Sequence, residues 1–502
     1  MYILGMSSFI RKGRTRSGAT SVQVVYKEGR EIVGLKHIGS AHSEAELGIL
    51  LARAREVKDA GQGRLDLFSG EEGAAGRVWV EGSHSRLLWE ALGAAWERLG
   101  FGCVGDEVFR QLVLARLVEP TSKSGSARVI EGLGLEAPSN TAIHRCLGRV
   151  VAEGYRSVLA GKCLQRAKPE ALTLVLYDVT TLYFETARED GYRRPGFSKE
   201  RRLEPQICVG LLVDREGFPL RAASFEGNRA EVKTIVPVLE GFKERHGLAG
   251  VCVAADAAML SSGNLAALER LGYGYIVGSR VSKCPYEIEE HMRPPGGEPK
   301  DGQVFESRVN VTIERKRSTR RAIYQWSAKR ARLDLRNIEK VLDKAQRMVS
   351  GKLKAKGNRF VQTRGGRKSI NQRLVDSARM RAGVKGYVTN LDIAAAEVIS
   401  HYHRLYQVER SFRMAKSDLR ARPVFHHKRE SIEAHLTVVF AALALARHIE
   451  AATKVSIRRF VQTLLPYRSA TISVNGAMVS ILPRVPPHVS SLLKSIENFC
   501  GN

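Results

Sequence analysis

Two aspartates close strongly apolar runs in this chain: Asp178 follows LVLY and Asp256 follows VCVAA. A carboxylate at the end of a buried strand is costly unless it reaches solvent or a cation. Gathered at neighbouring strand ends, such carboxylates make an oxygen-donor site that suits Mg²⁺, which prefers oxygen ligands and keeps several waters. A third acid, Glu409, lies in a segment where Tyr402, Tyr406, Glu409, Arg413 and Lys416 alternate four and three positions apart. On one continuous helix, at about 100° per residue, these five share a stripe roughly 80° wide. Two phenols, a carboxylate and two cations would make a poor core. A solvated charged face with i,i+4 pairs is the plain alternative, and the interleaved tyrosines argue against it. Three convergent carboxylates can hold two metal ions about 3.5–4 Å apart, which activate water or a 3′-hydroxyl at a phosphodiester. Arg413 and Lys416, further along the stripe, could hold neighbouring phosphates.

The charge of the chain points to the same substrate. Eighty Lys and Arg against 52 Asp and Glu leave a net +28 over 502 residues. That excess is out of scale for a small acidic substrate and fits a polyanion, nucleic acid first and an anionic membrane second. The longest apolar run, LTVVFAALALA (436–446), is too short to span a bilayer and reads as a buried helix. The N-terminus lacks the order of a secretory signal, so no membrane partner is expected. The seven cysteines include no C-x-x-C pair. They read as small buried hydrophobes in a reducing compartment, and no zinc site is expected.

The elements that must position these groups follow from periodicity. Residues 1–80 read as a small β-rich module, with strands near 21–28 and 30–39. Ahead of them Arg11, Lys12, Arg14 and Arg16 form a basic arm that either tracks phosphates or frays. Residues 81–167 read as helical. A helix near 122–132, a Gly-Leu-Gly turn and a second helix opening at Ser139–Thr141 have a helix-turn-helix shape, with Asn140, Thr141, His144 and Arg145 leading the candidate recognition helix. From 172 short apolar strands alternate with helices, which predicts a mixed sheet flanked by helices over 168–279 and 385–452. Between them, 280–384 is polar and very basic and reads as an inserted domain, with 351–368 a basic loop. A single long helix is expected over 394–421, and 453–502 reads as a C-terminal tail of little periodicity.

Taken together these segments resemble the bacterial insertion-sequence DDE transposases, whose ribonuclease-H-like core is interrupted by an insertion. The resemblance rests on LVLYDVTTLYFET (174–186), GFSKERRLEPQICVGLLVDREGFPL (196–220), FEGNRAEVKTI (225–235), VCVAADAAMLSSGNLAALERLGYGYIVGSR (251–280) and YHRLYQVERSFRMAKSDLRARPVFHH (402–427). It covers about 170–450 strongly and the first 170 residues loosely. It implies an α/β fold with a ribonuclease-H-like mixed sheet flanked by helices and an α+β insertion. It also implies Asp178, Asp256 and Glu409 as catalytic and metal-binding residues, with two Mg²⁺ ions for which Mn²⁺ can substitute. The family's helix motif places a Tyr, an Arg three later, a Glu four after that and a Lys seven beyond the Glu. Tyr402, Glu409 and Lys416 match, but the Arg position holds Leu405. The phosphate contact then falls to Arg404, Arg410 or Arg413, and the expected DNA-binding set is Tyr402, Arg410, Arg413 and Lys416.

The implied activity is binding of terminal inverted repeats, metal-dependent cleavage of the ends and joining of the 3′-hydroxyls to target DNA. The partners would be double-stranded transposon-end and target DNA, with a homodimer in the DNA complex and a cytoplasmic, nucleoid-associated location. A ribonuclease-H-like nuclease without strand transfer and a non-catalytic transposase-derived DNA-binding protein are the alternatives. In the insertion, Tyr324 and Trp326 either stack on a displaced base or form a small local core.

Overall fold

The structure is a computed structural model that describes residues 6–15, 19–28, 31–41, 43–60, 78–167, 172–186, 188–196, 203–246, 251–257, 261–279, 281, 284–293, 297–313, 316–353, 357–364, 366–422, 424, 426–474 and 477–499. Arg16 and Cys500 lie outside them. The chain divides into two compact units, Met1–Val78 and Trp79–Asn502.

In the first unit, β1 (Met6–Arg14), β2 (Thr20–Glu28) and β3 (Glu31–Ala41) form an antiparallel meander, followed by helix α1 (Glu44–Ala60). Val22 and Val24 of β2 are buried with Ala54 of α1, and Leu47, Leu50 and Leu51 pack beside them. Two expectations change here. Arg11, Lys12 and Arg14 are not on a loose arm but in β1, paired with Gln23, Val22 and Thr20. Helix α1 was not anticipated, although Leu47, Leu50, Leu51 and Ala54 carry helical spacing.

The second unit opens inside β4 (Val78–His84), after its first residue, and continues with the helices α2 (Arg86–Arg98), α3 (Glu107–Val118), α4 (Lys123–Gly132), α5 (Asn140–Ala152) and α6 (Tyr155–Arg166). Ser122 caps α4 by accepting from Gly125 N, and Ser139 caps α5 by accepting from Ala142 N. Next come β5 (Leu174–Tyr183), β6 (Gln206–Asp214), β7 (Pro219–Glu226), α7 (Ile235–His246), β8 (Cys252–Ala255), α8 (Ser262–Arg270) and β9 (Gly274–Ser279). The basic stretch contains α9 (Tyr286–His291), β10 (Val304–Ile313), β11 (Lys316–Trp326), α10 (Ala328–Val349), β12 (Val361–Arg364), β13 (Arg367–Ile370) and α11 (Gln372–Met380). Then follow β14 (Val384–Thr389), α12 (Ala395–His403), α13 (Tyr406–Ser417), α14 (Arg429–Thr453), α15 (Ile457–Leu464), β15 (Ser469–Val474), β16 (Ala477–Ile481) and α16 (Pro487–Asn498).

The central sheet has eight strands in the order β10-β11-β14-β9-β8-β5-β6-β7. The β5–β8 and β8–β9 pairs are parallel, while β5–β6, β6–β7, β9–β14, β11–β14 and β10–β11 are antiparallel. This is the mixed, helix-flanked α/β sheet expected of a ribonuclease-H-like core. The parallel strands at its centre, β5, β8 and β9, are mostly buried residues, as a sheet covered on both faces requires. Helix α14 lies against α2, α3, α5, α6 and β7. Residues 432 and 434–449 of it are buried. By length and apolarity alone it could cross a membrane, but here it is the core helix of the second unit.

Several boundaries differ from the sequence reading. The segment 280–384 is not a separate body throughout, because β10 and β11 pair onto β14 and widen the central sheet. Two small cores form within it: one around Ile288, Phe305, Tyr324 and Trp326, and one where α10, α11 and the β12–β13 hairpin meet around Ile338, Phe360 and Val375. That hairpin also replaces part of the expected basic loop. Tyr324 and Trp326 are 6% and 7% exposed, and Trp326 Nε1 donates to Ala382 O at 3.0 Å, so they form a core rather than a stacking platform. The residues after 453 are folded: β15 and β16 join β4 in a three-stranded sheet, and α16 packs on α2 and α14. Two of their partners, β4 and α2, lie far upstream in the chain, so nothing local in 453–502 names them. Among the described cysteines, Cys146, Cys163, Cys208 and Cys252 are buried and none is in a disulfide.

Candidate active site

Asp178 is not at the end of its strand. β5 continues five residues beyond it, paired with β6 as far as Tyr183–Gln206. What ends at this level is the parallel ladder: β5 and β8 pair from Leu174–Cys252 to Tyr177–Ala255. Asp178 and Asp256 are therefore the next residues on two adjacent parallel strands. Side chains alternate across a sheet, so residues matched in register share a face. Tyr177 turns to the other face, where its hydroxyl donates to Thr234 Oγ1 at 2.8 Å, just ahead of α7. The two aspartates thus face away from α7, and Asp256 meets α12 there.

Tyr402 on α12 donates its hydroxyl to Asp256 Oδ1 at 3.2 Å, and Ala257 N donates to the same oxygen at 2.7 Å. The phenol ring packs edge-on against Tyr387 with centroids 4.8 Å apart, and Lys385 Nζ lies 4.4 Å from its centroid. Burial first, and the Asp256 and Glu409 charges after it, push the Tyr402 phenol up, so it remains a donor. Gly278 on β9 makes room: a Cβ there would stand 2.5 Å from the Tyr402 oxygen.

The expected long helix is two helices. Arg404 and Leu405 form a turn with i,i+3 bonds, Arg404 N to His401 O and Leu405 N to Tyr402 O. This tighter winding shifts the phase, so the five-residue stripe divides. Tyr402 is 4% exposed and belongs to the core, whereas Tyr406 is 58% exposed. Glu409 and Arg413 are exposed on α13, and Lys416 is partly buried.

Helix α13 packs on β5 and β6, which brings Glu409 to the sheet face that carries the aspartates. Its charge acts on both Tyr402 and Lys385. Burial and the nearby Arg330 lower the Lys385 ammonium from its usual value, against the pull of Asp256 and Glu409. Among the described residues, no three His, Cys, Asp or Glu side chains stand close enough to hold a metal ion. By the chemistry of its donors alone, the set of Asp178, Asp256 and Glu409 suits a hard divalent cation.

Of the three arginines that could replace the family Arg, two have structural partners. Arg404 Nη1 is 3.0 Å from Glu216 Oε1, and Arg410 Nη2 is 2.9 Å from Glu450 Oε2 on α14. Arg413 has no ion pair among the described residues. Tyr402, expected on DNA, points into the core toward Asp256. Sequence reasoning missed the residues around a ≈ 600 Å³ cavity beside Asp256 and Tyr402, lined also by Arg330, Arg359, Arg381 and Lys385. The basic composition of 280–384 was the signal, but nothing in it marked which cations turn inward.

The base of α13 is held by the β6–β7 turn. Arg447 of α14 donates to Gly217 O and Glu216 O, and to Gln407 Oε1 at 3.1 Å, while Ser411 Oγ donates to Gly217 O at 2.7 Å. Asp214 Oδ1 shapes the turn by accepting from Glu216 N and Phe218 N at 2.9 and 2.8 Å.

The family model of the transposase DDE domain matches residues 170–445 of this chain. A search of curated proteins finds no match to it.

Proposed function

The chain belongs to the DDE transposase family, and from that premise we propose that it binds the inverted-repeat ends of an insertion sequence, cleaves them, and joins the freed 3′-hydroxyls to target DNA. The observation that carries this reading is the register of Asp178 and Asp256 on one sheet face, with Glu409 on the helix laid over it. These three acids would hold Mg²⁺, with Mn²⁺ able to substitute, at two positions. Bound there, the ions would supply an activated water or 3′-hydroxyl and stabilise the leaving oxygen. The remaining work falls to the chain's own residues. Tyr402 and the Ala257 amide fix one oxygen of Asp256. Lys385, Arg330 and Arg381 attract the scissile phosphate into the cavity beside it. Arg413 is the exposed cation best placed to stand in for the arginine missing at Leu405. Joining two ends calls for two protomers in the DNA complex, and the DNA substrate implies a nucleoid-associated, cytoplasmic site of action.

The test is an assay with end-bearing donor DNA, target DNA and Mg²⁺. Asp178→Ala, Asp256→Ala and Glu409→Gln should each abolish cleavage while end binding, measured by gel shift, persists. Normal cleavage by Glu409→Gln would remove Glu409 from the set. Cleavage by the unaltered chain with no joined product would favour a nuclease over a transposase.

A further inference from the structure

A cavity of ≈ 740 Å³ lies away from the acids, between α3, α4 and α5 on one side and the loop after α13 and α14 on the other. Its walls carry Arg116, Lys123, His144, Arg420, Arg422 and His426, and among the described lining residues there is no Asp or Glu. Four of them, Arg116, Lys123, Arg420 and Arg422, are cations, and gathering like charge in this way is unfavourable on its own. Burial first, then Lys123 and Arg116, push the His426 imidazole down to about 4, so it stays neutral at pH 7. Among the described residues, Arg116 donates to a carbonyl, Leu419 O at 3.2 Å, and to no carboxylate.

The helices add to this field. The first turn of α4, with its cap Ser122 and Lys123, and the start of α5, with Asn140 in the first turn and His144 in the second, both line the cavity. Helix N-termini favour anions. Leu112, Leu147 and Val438 give it an apolar floor. One wall is also strained, since Arg420 has φ 42°, a region costly for a residue with a Cβ.

The loop that bears Arg420 and Arg422 is tied to both catalytic elements. It leaves the C-terminal end of α13, and Val424 N donates to Tyr183 O, the last residue of β5, at 3.2 Å. We propose that this cavity is a phosphate-binding subsite that seats a backbone phosphodiester of the bound DNA and so braces α13 against β5. The inference rests on DNA being the substrate, as proposed above. The α4–α5 pair then contributes through its helix starts and the cations beside them, in addition to any base contacts made by exposed Thr141 and Arg145.

The experiment uses the full-length chain and an end-bearing duplex. Lys123→Gln combined with Arg420→Gln removes two cations from the cavity rim and alters no buried side chain. It should weaken duplex binding about tenfold at every sequence tested and lower the slope of log affinity against log salt by about one for each cation that reaches a phosphate. Bound duplex should also protect Lys123 from amine acylation in the unaltered chain, whereas inorganic phosphate at millimolar concentration should not. An unchanged affinity and slope, or acylation of Lys123 undiminished on bound duplex, would overturn the subsite while leaving the transposase reading intact. Protection by inorganic phosphate alone would make it a free-anion site instead. Failure of the unaltered chain to bind any end duplex would fell the functional reading and this inference with it.

Discussion

The hydroxyl of Tyr402 donates to Asp256 Oδ1 at 3.2 Å across 146 positions of chain. It joins α12 to the end of β8 and gives a buried phenol a carboxylate partner. On the proposed function, Tyr402 would position that acid and would not meet DNA. Tyr402→Phe should keep the packing against Tyr387 and lose only the hydrogen bond. A hydrogen bond to a charged group contributes about 1.5–3 kcal/mol, so single-turnover cleavage should slow by roughly 10- to 100-fold, with end affinity unchanged. Equal loss of affinity and rate would restore Tyr402 to the DNA surface.

Gly278→Ala tests the same contact from the opposite side. The new Cβ would stand 2.5 Å from the phenol oxygen and 3.1 Å from Ala257 N, so the hydroxyl must leave Asp256. The cleavage defect should match that of Tyr402→Phe, and the double variant should be little worse than either. Additive defects would show that the glycine matters for another reason.

Arg410 and Arg447 share Glu450 but should differ in effect. Arg447 and Glu450 side chains are 7% and 9% exposed, whereas Arg410 is 51% exposed. Arg447→Met leaves the turn carbonyls and a buried carboxylate short of a donor and should cost about 3–5 kcal/mol in urea unfolding. Arg410→Gln should cost at most about 1 kcal/mol and leave end affinity unaltered. A marked fall in affinity would return Arg410 to the DNA contacts expected from the sequence.

The β6–β7 turn should make stability depend on pH. Burial raises the Asp214 carboxyl from 3.8 to about 6, against the two backbone donors that lower it. A group whose folded pKa is raised contributes stability fully below its unfolded value, and this is lost as pH rises through the folded value. Asp214→Asn keeps an oxygen for Glu216 N and Phe218 N without the charge. The variant should therefore gain on the parent between pH 4 and pH 6 and exceed it by about 1–3 kcal/mol at pH 7. Parallel stability curves across that range would rule this out.

Chelation should separate binding from chemistry. EDTA should abolish cleavage while the duplex still shifts in a gel, because the cations around the Asp256 cavity and on α13 belong to the chain. Restoration should follow Mg²⁺ or Mn²⁺ and not Ca²⁺-only buffer. Cleavage undiminished by EDTA would exclude the three-acid reading.

Much of this was legible in the chain. Asp178 and Asp256 stood out because an apolar run of buried strand ends in a charge, and Glu409 because helical spacing gathered unusual residue types. The +28 charge pointed to a polyanion from composition alone. Local order suffices for such readings, since periodicity and hydrophobicity act over a few residues.

Only the tertiary structure decided the rest. Register set Asp178 beside Asp256 while β5 ran on past it. A two-residue turn at Arg404–Leu405 moved Tyr402 from a DNA-facing stripe to the core. Ion pairs with Glu216 and Glu450 engaged Arg404 and Arg410, and β14 and the start of α10 set Lys385 and Arg330 around the cavity that Asp256 also lines. These outcomes depend on partners far away in the chain. A cation's role follows from which carboxylate or phosphate it can reach, and distance in sequence does not measure that reach.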